Sequence, residues 1–322
     1  MTTSGRRNSG RQIPHGNPEP GRVVAAYGRR ALVEDLHGER HRSIMSGRQL
    51  RPVCGDRVEW ARPKDSSDAL IVRLLPRDNE LSRPDRRGRK EILAANVSQL
   101  IVVSAAVPKP DPFLVDRYLA MAELMPARAR LVYNKMDLDA DSSAIDLEEF
   151  RHIGYPVHRL SARDGSGLEE LKEALRGQTS ILVGQSGVGK SSLINAILPG
   201  VDIETSEVST ATGEGKHTTT ASVLHHLPGG SGHELPAASS AEIIDSPGVR
   251  DFAPSPVPGR DVVRGFREFA DPSLRCRFNN CMHLREPDCG VKEAVDSGDI
   301  SARRYESYRR LVRLMDELGE NT

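Results

Sequence analysis

Long apolar runs are missing from this chain of 322 residues. A membrane-spanning helix needs roughly 18 or more such residues in succession, and the opening segment MTTSGRRNSGRQIPHGNPEPG has no apolar stretch for a signal peptide. Cysteine is scarce as well. Four in the whole chain are too few to staple a secreted scaffold of this length. Net charge is zero, with 45 Lys and Arg against 45 Asp and Glu, so the total names no partner. There is no internal repeat. The expectation is a reduced, cytoplasmic, monomeric protein, clear of membranes and long enough for two or three domains.

What is present is unevenly spread. Residues 1–90 hold 20 Lys and Arg against 11 Asp and Glu, an asymmetry that suits a module facing nucleic acid and equally a plain solvated surface. Residues 1–20 have almost nothing to bury and read as a disordered basic tail. From 21 to 85, short apolar runs broken by Gly, Asp and charges predict strands and turns, as in a small barrel of the OB type or an SH3-like one. RPDRRGRKEI, residues 83–92, reads as a basic linker. From 91 to 255, continuous strands such as LIVVSA alternate with helical segments, which predicts an α/β parallel sheet. Residues 228–241 form a low-complexity loop between two strands, and 256–322 hold a Cys/His cluster and a final helix.

GQSGVGKS, residues 184–191, fits the phosphate-loop pattern at Gly184, Gly189, Lys190 and Ser191 and lies between a strand and a helix, as that loop requires. Backbone N–H groups cradle phosphate there, Lys190 reaches the β- and γ-phosphates, and the Ser191 hydroxyl binds Mg²⁺. DSPG at 245–248 would bring Asp245 to Mg²⁺ and the Gly248 N–H to the γ-phosphate, although the tetrapeptide alone is an ordinary turn. GKHTTT between them offers Thr218, Thr219 and Thr220 as a switch threonine for Mg²⁺.

NKMD, residues 134–137, is a guanine-reading pattern: Asp137 to the base N1–H and amine, Lys135 along the base, Asn134 bracing the loop. A backbone N–H of Ser161 or Ala162 in the following SAR segment would meet guanine O6. In an ordinary GTPase this reader comes after the phosphate loop; here it comes before. A circular permutation reconciles the order, because the same sheet can be cut at another loop.

CRFNNCMHLREPDC places Cys276, Cys281, His283 and Cys289 in a C-x₄-C-x-H-x₅-C pattern, the donor set of a closed structural zinc site. Cys54 stands apart as an inert barrel residue. A domain so small is expected to draw much of its folding free energy from the metal, so chelation should melt it and spare nucleotide binding. The final helix offers Arg303, Arg304, Arg309, Arg310 and Arg313 as RNA phosphate contacts or as a solvated face.

Together, GQSGVGKSSLIN, GKHTTT, DSPGVRDF and the Cys/His cluster resemble the RsgA (YjeQ) family, circularly permuted GTPases of small ribosomal subunit biogenesis. The resemblance covers about residues 20–315. It implies an OB domain, a permuted GTPase domain and a C-terminal zinc domain. It also implies hydrolysis of GTP to GDP and phosphate, stimulated by the 30S subunit, at a late checkpoint of its maturation. The implied nucleotide contacts include Gly187, Val188 and Ser192 beside the residues above, and Thr219 becomes the better Mg²⁺ threonine. Val249 takes the place of the water-positioning glutamine, which implies slow intrinsic hydrolysis; His217 is one nearby candidate for catalysis, or else a ribosome or solvent contact. Gly187 stands where some related GTPases carry an Asn for K⁺. A metabolic phosphate-loop kinase is disfavoured by NKMD, whereas an RNA-binding module merely regulated by nucleotide stays open.

Overall fold

The computed structural model describes residues 17–47, 50–63, 66–85, 87–138, 145–198, 222–227, 241–246 and 256–320. The N-terminal strands β1 (Glu19–Tyr27), β2 (Arg30–Glu34), β3 (Arg40–Met45), β4 (Arg57–Ala61) and β5 (Ala69–Leu74) follow the order β1-β2-β3-β5-β4, and β4 returns to β1 to close a five-stranded barrel. Only the β3–β5 pairing is parallel. Val23, Val33, Val58, Trp60 and Ile71 fill the barrel. Gly21 lets the Trp60 indole lie against β1: a Cβ there would be 2.7 Å from its Cδ1.

The expected linker is instead a hairpin of β6 (Glu80–Pro84) and β7 (Lys90–Ala95). Asp85 nucleates its turn by accepting the N–H groups of Arg87 and Arg89. The basic residues that suggested a linker lie on the outside, where Arg83 pairs with Glu91 and Lys90 with Glu80. Leu81, Ala94 and Ala95 face inward and are fully buried. Cys54, against this hairpin, is buried, and burial pushes its thiol up to about 12, which makes it inert.

Next comes a sheet of β8 (Gln99–Ala105), β9 (Arg128–Asn134), β10 (Val157–Arg159), β11 (Thr179–Val183), β12 (Val223–His226) and β13 (Glu242–Asp245), in the order β10-β9-β8-β11-β13-β12. All neighbours are parallel except β12 and β13. LIVVSA is apolar throughout because both of its faces are covered. Leu100 and Val102 join one core with α1 (Pro112–Leu124), while Ile101 and Val103 join the other with α3 (Leu168–Leu175) and α4 (Lys190–Ile197). Helix α1 starts with Asp111 capping the Phe113 N–H and Pro112 at its first position. Helix α2 (Leu147–His152) covers the outer part of this face through Phe150.

The C-terminal region holds 3₁₀ turns at Gly259–Gly265 and Arg267–Phe269, then α5 (Ala270–Ser273), α6 (Gly290–Ser297) and α7 (Ala302–Glu320). Its buried Val262, Phe266, Phe269, Tyr308 and Leu311 belong to the same core as α1, so the cluster is not a free-standing unit. Two of the arginines read as RNA contacts serve this junction. Arg304 is fully buried, donating to Asp116 of α1 at 2.7 Å and to Glu268 at 2.6 Å, with its guanidinium 4.7 Å from the Phe266 ring centroid. Arg303 donates to Asp116 at 2.6 Å and also pairs with Glu149 of α2. A guanidinium committed to buried carboxylates is not available to phosphate. Arg309, Arg310 and Arg313 remain at the surface, all within reach of Glu306.

Candidate nucleotide site and metal centre

Strand β11 ends at Val183 and α4 begins at Lys190, so the phosphate loop lies at the carboxyl edge of the parallel strands. Gly184 has a φ of +147°, and a Cβ there would come within 2.1 Å of the Val103 carbonyl oxygen. Gly189, at φ +93°, caps α4, and its Cβ would lie 2.5 Å from Asn134 Nδ2. Both glycines are demanded by close approach as well as by backbone conformation. Lys190 Nζ donates to the carbonyls of Gly184 at 2.7 Å and Gln185 at 2.8 Å, which curls the ammonium over the loop. Ser191 is half-buried in the first turn of α4, and Ser192 is exposed.

NKMD lies against this loop although about fifty residues separate them. Asn134 is buried at the end of β9 and joins three segments: its Nδ2 donates to Val188 O at 3.0 Å, and its Oδ1 accepts the Ala162 N–H at 3.0 Å. Lys135, at φ +65°, donates from Nζ to Gly187 O at 2.7 Å and to Val107 O at 2.9 Å. The contact with Val107, just beyond β8, has no sequence signal. Asp137 Oδ1 accepts the Ser161 hydroxyl at 2.8 Å, and Arg163 stands 3.7 Å from its other oxygen. The Ser161 N–H donates to Ser166 O at 3.0 Å, so both backbone donors considered for guanine O6 have protein partners in this arrangement.

Asp245 is half-buried at the end of β13, the strand parallel to β11. The GQSGVGKS loop, the NKMD tetrapeptide and Asp245 thus share one edge of the sheet. His217, Thr219, Gly248 and Val249 lie outside the described residues, as does most of the loop at 228–241.

In the C-terminal region, Cys276, Cys281, His283 and Cys289 bring their ligand atoms within 4.8 Å of one another. His283 Nδ1 is 3.5 Å from Cys276 Sγ and 3.4 Å from Cys289 Sγ, and those sulfurs are 3.9 Å apart. The Ser273 hydroxyl donates to Phe269 O at 2.6 Å, so it accepts from His283 Nε2 at 3.2 Å and leaves Nδ1 free of its proton for a metal. Tyr305 and Tyr308 of α7 donate to the carbonyls of His283 and Met282, each at 2.6 Å. Burial works against the charge of Glu286, yet the backbone N–H groups of Met282, Leu284 and Arg285 hold its carboxyl down to about 2. The spacing of ligands was legible in sequence; this supporting shell was not.

The profile of the RsgA GTPase family matches residues 74–254. A small ribosomal subunit biogenesis GTPase RsgA from Ectopseudomonas mendocina is 43% identical over 315 residues, spanning 94% of this chain and 87% of the relative. The protein of the same name from Azotobacter vinelandii is 42% identical, with the same coverage. Among solved structures, YjeQ from Thermotoga maritima matches with a TM-score of 0.71 at 32% identity, over 92% of this chain and 98% of that one. YloQ, described as a circularly permuted GTPase, matches with a TM-score of 0.70 at 25% identity, over 94% and 96%. The permuted order of parts, the closed barrel before them and these matches over nearly the whole chain agree: the chain belongs to the RsgA family of circularly permuted GTPases.

Proposed function

We propose that the chain hydrolyses GTP as a timing switch on the maturing small ribosomal subunit, and that the subunit stimulates the reaction. The observation that carries the guanine assignment is Asn134 bonded to both the phosphate loop and the SAR segment, which joins base reading to phosphate binding in one site. Asp137 then accepts from the guanine N1–H and amine, and Lys135 flanks the base. Backbone N–H groups of residues 187–191 hold the phosphates, and Lys190 neutralises charge developing on them. Ser191 and Thr219 are the Mg²⁺ ligands, Asp245 acts through water, and the Gly248 N–H faces the γ-phosphate. Valine at position 249 cannot orient water, so the subunit must supply or order a catalytic group; His217 is one candidate from this chain.

The Cys₃His cluster fits structural zinc. Four ligands at the usual Zn–S length of about 2.3 Å and Zn–N of about 2.0 Å put tetrahedral S···S edges near 3.8 Å and N···S edges near 3.5 Å. The distances of 3.9, 3.5 and 3.4 Å match these edges. Bound there, zinc would tie the 276–289 loop together and leave no open position for catalysis.

The small-subunit partner rests on the names of the relatives and on the barrel and basic surface, which suit rRNA. The test is GTP hydrolysis by the metal-loaded protein alone, with small subunits and with large subunits. Acceleration confined to small subunits is the expected result. Slow turnover in all three would reject the switch and leave a GTP-binding protein with another activator.

A further inference from the structure

Two serines meet where β12 begins and β13 ends, beside Asp245. The pairing of Val223 with Asp245, carried one residue further, sets Ser222 opposite Ser246. Strand alternation puts both on the face where Leu224 and Ile244 enter the core shared with α1. Only 8% of Ser246 is exposed. An aliphatic pair would suit that face, and hydroxyls are tolerated there only when each finds a partner.

Their partners are specific. The two hydroxyl oxygens are 2.7 Å apart, and Ser222 Oγ is 3.2 Å from the Leu93 carbonyl oxygen of β7. A carbonyl can only accept, and each serine has one proton to give. The arrangement that satisfies all three groups therefore runs in one direction: Ser246 donates to Ser222, and Ser222 donates to Leu93.

The carbonyl is within reach because of a bulge. In the β6–β7 hairpin Ser82 pairs with Ile92 and Leu81 with Ala94, which leaves Leu93 as the extra residue. A bulge takes one residue out of the ladder and re-aims it, and such devices recur beside active sites. This hairpin is a separate sheet of two strands. The relay of two hydroxyls ties it to the strand end that bears Asp245.

We infer that Ser222 and Ser246 are positioning residues for GTP hydrolysis. Their hydrogen-bonded chain from Leu93 fixes the end of β13 and with it Asp245, which the proposed function assigns to Mg²⁺ through water. The inference rests on that assignment and deepens it. Each serine acts through the backbone that carries the carboxylate, and a small displacement of a group that orders a metal ion is enough to slow the reaction.

The test is GTP hydrolysis by the full, metal-loaded chain at saturating GTP, titrated with Mg²⁺. Ser222→Ala should lower kcat roughly 3- to 10-fold, the worth of one hydrogen bond. It should also raise the Mg²⁺ concentration that gives half the maximal rate, while affinity for GDP without Mg²⁺ stays unchanged. Ser246→Ala should match it, and the double substitution should cost no more than either alone, because the two act as one chain. Ser222→Thr keeps the hydroxyl and should restore both kcat and the Mg²⁺ dependence. An unmoved Mg²⁺ dependence in the alanine variants, additive losses in the double variant, or a threonine variant as impaired as alanine would overturn the inference. A merely structural role would lower the urea midpoint and leave the Mg²⁺ dependence where it was. The unsubstituted chain separates the two claims. If it does not hydrolyse GTP, the proposed function fails and the inference falls with it; if it does and the alanine variants keep its Mg²⁺ dependence, only the inference is wrong.

Discussion

The barrel and the C-terminal region both attach to the nucleotide-binding sheet, and they do so by different physics. The barrel joins through the pairing of β1 with β12 at Ala25 and Val223, through Val24 and Cys54 in the common apolar core, and through polar contacts at the rim. Arg22 donates to both oxygens of Glu242 and to the Thr179 hydroxyl, and His226 meets Glu34 at 2.7 Å, with Arg22 and His226 about a quarter to a third exposed. The C-terminal region joins through a shared apolar core and a guanidinium with no exposure at all. A polar, partly wet junction can break and re-form at modest cost, whereas a buried one holds its parts as a unit. The barrel junction therefore carries more of its contact in groups that water can reach, whereas the C-terminal region shares a fully buried ion pair with α1.

The largest expected effect comes from breaking the buried side. Asp116→Ala would leave Arg304 with one carboxylate in a dry site, and removal of a buried partner typically costs about 3–5 kcal/mol. Urea unfolding should show that loss in a single transition covering sheet and C-terminal region together. Separate transitions would mean that the shared core does not couple them. Arg22→Ala tests the other junction. It removes charge-assisted hydrogen bonds from a partly solvated position, so about 1–2 kcal/mol is expected, read as faster amide exchange in β1 and β12 with α1 and α7 unchanged.

Metal removal sharpens the contrast within the C-terminal region. The sequence alone suggests that chelation melts all of it. With Phe266, Phe269, Tyr308 and Leu311 in the common core, chelation should instead loosen residues 274–289 and leave α7 protected and GTP binding intact. Amide exchange before and after chelation checks this. The smallest effect concerns Glu286. Its carboxyl is held to about 2 in the folded state against an ordinary 4.5, so its contribution is full above about 4.5 and is lost as the pH falls toward 2. In Glu286→Gln the stability of this loop should vary less with pH across that window.

Much of this molecule was readable in its residues. The phosphate loop declares itself through spacing and through its position between strand and helix, and Cys276, Cys281, His283 and Cys289 through donor chemistry. The strands of the sheet show in their unbroken apolar runs. What stayed hidden depends on contacts between distant segments. Charges along 83–92 concealed a hairpin because its alternation is carried by arginines paired across strands. Arg304 looks like any surface arginine of an amphipathic helix until Asp116, 188 residues away, is seen beside it. The bonds of Asn134 to Val188 and Ala162 likewise have no local signature.

The central claim is that a guanine reader upstream in sequence serves a phosphate loop downstream. Nucleotide affinity of Asp137→Asn for GTP and for xanthosine triphosphate tests it most directly. The account predicts a loss of GTP affinity of roughly 10- to 100-fold, the worth of hydrogen bonds to a charged group, and a gain for the xanthine nucleotide. Unchanged preference for GTP would remove residues 134–137 from the site and contradict the account.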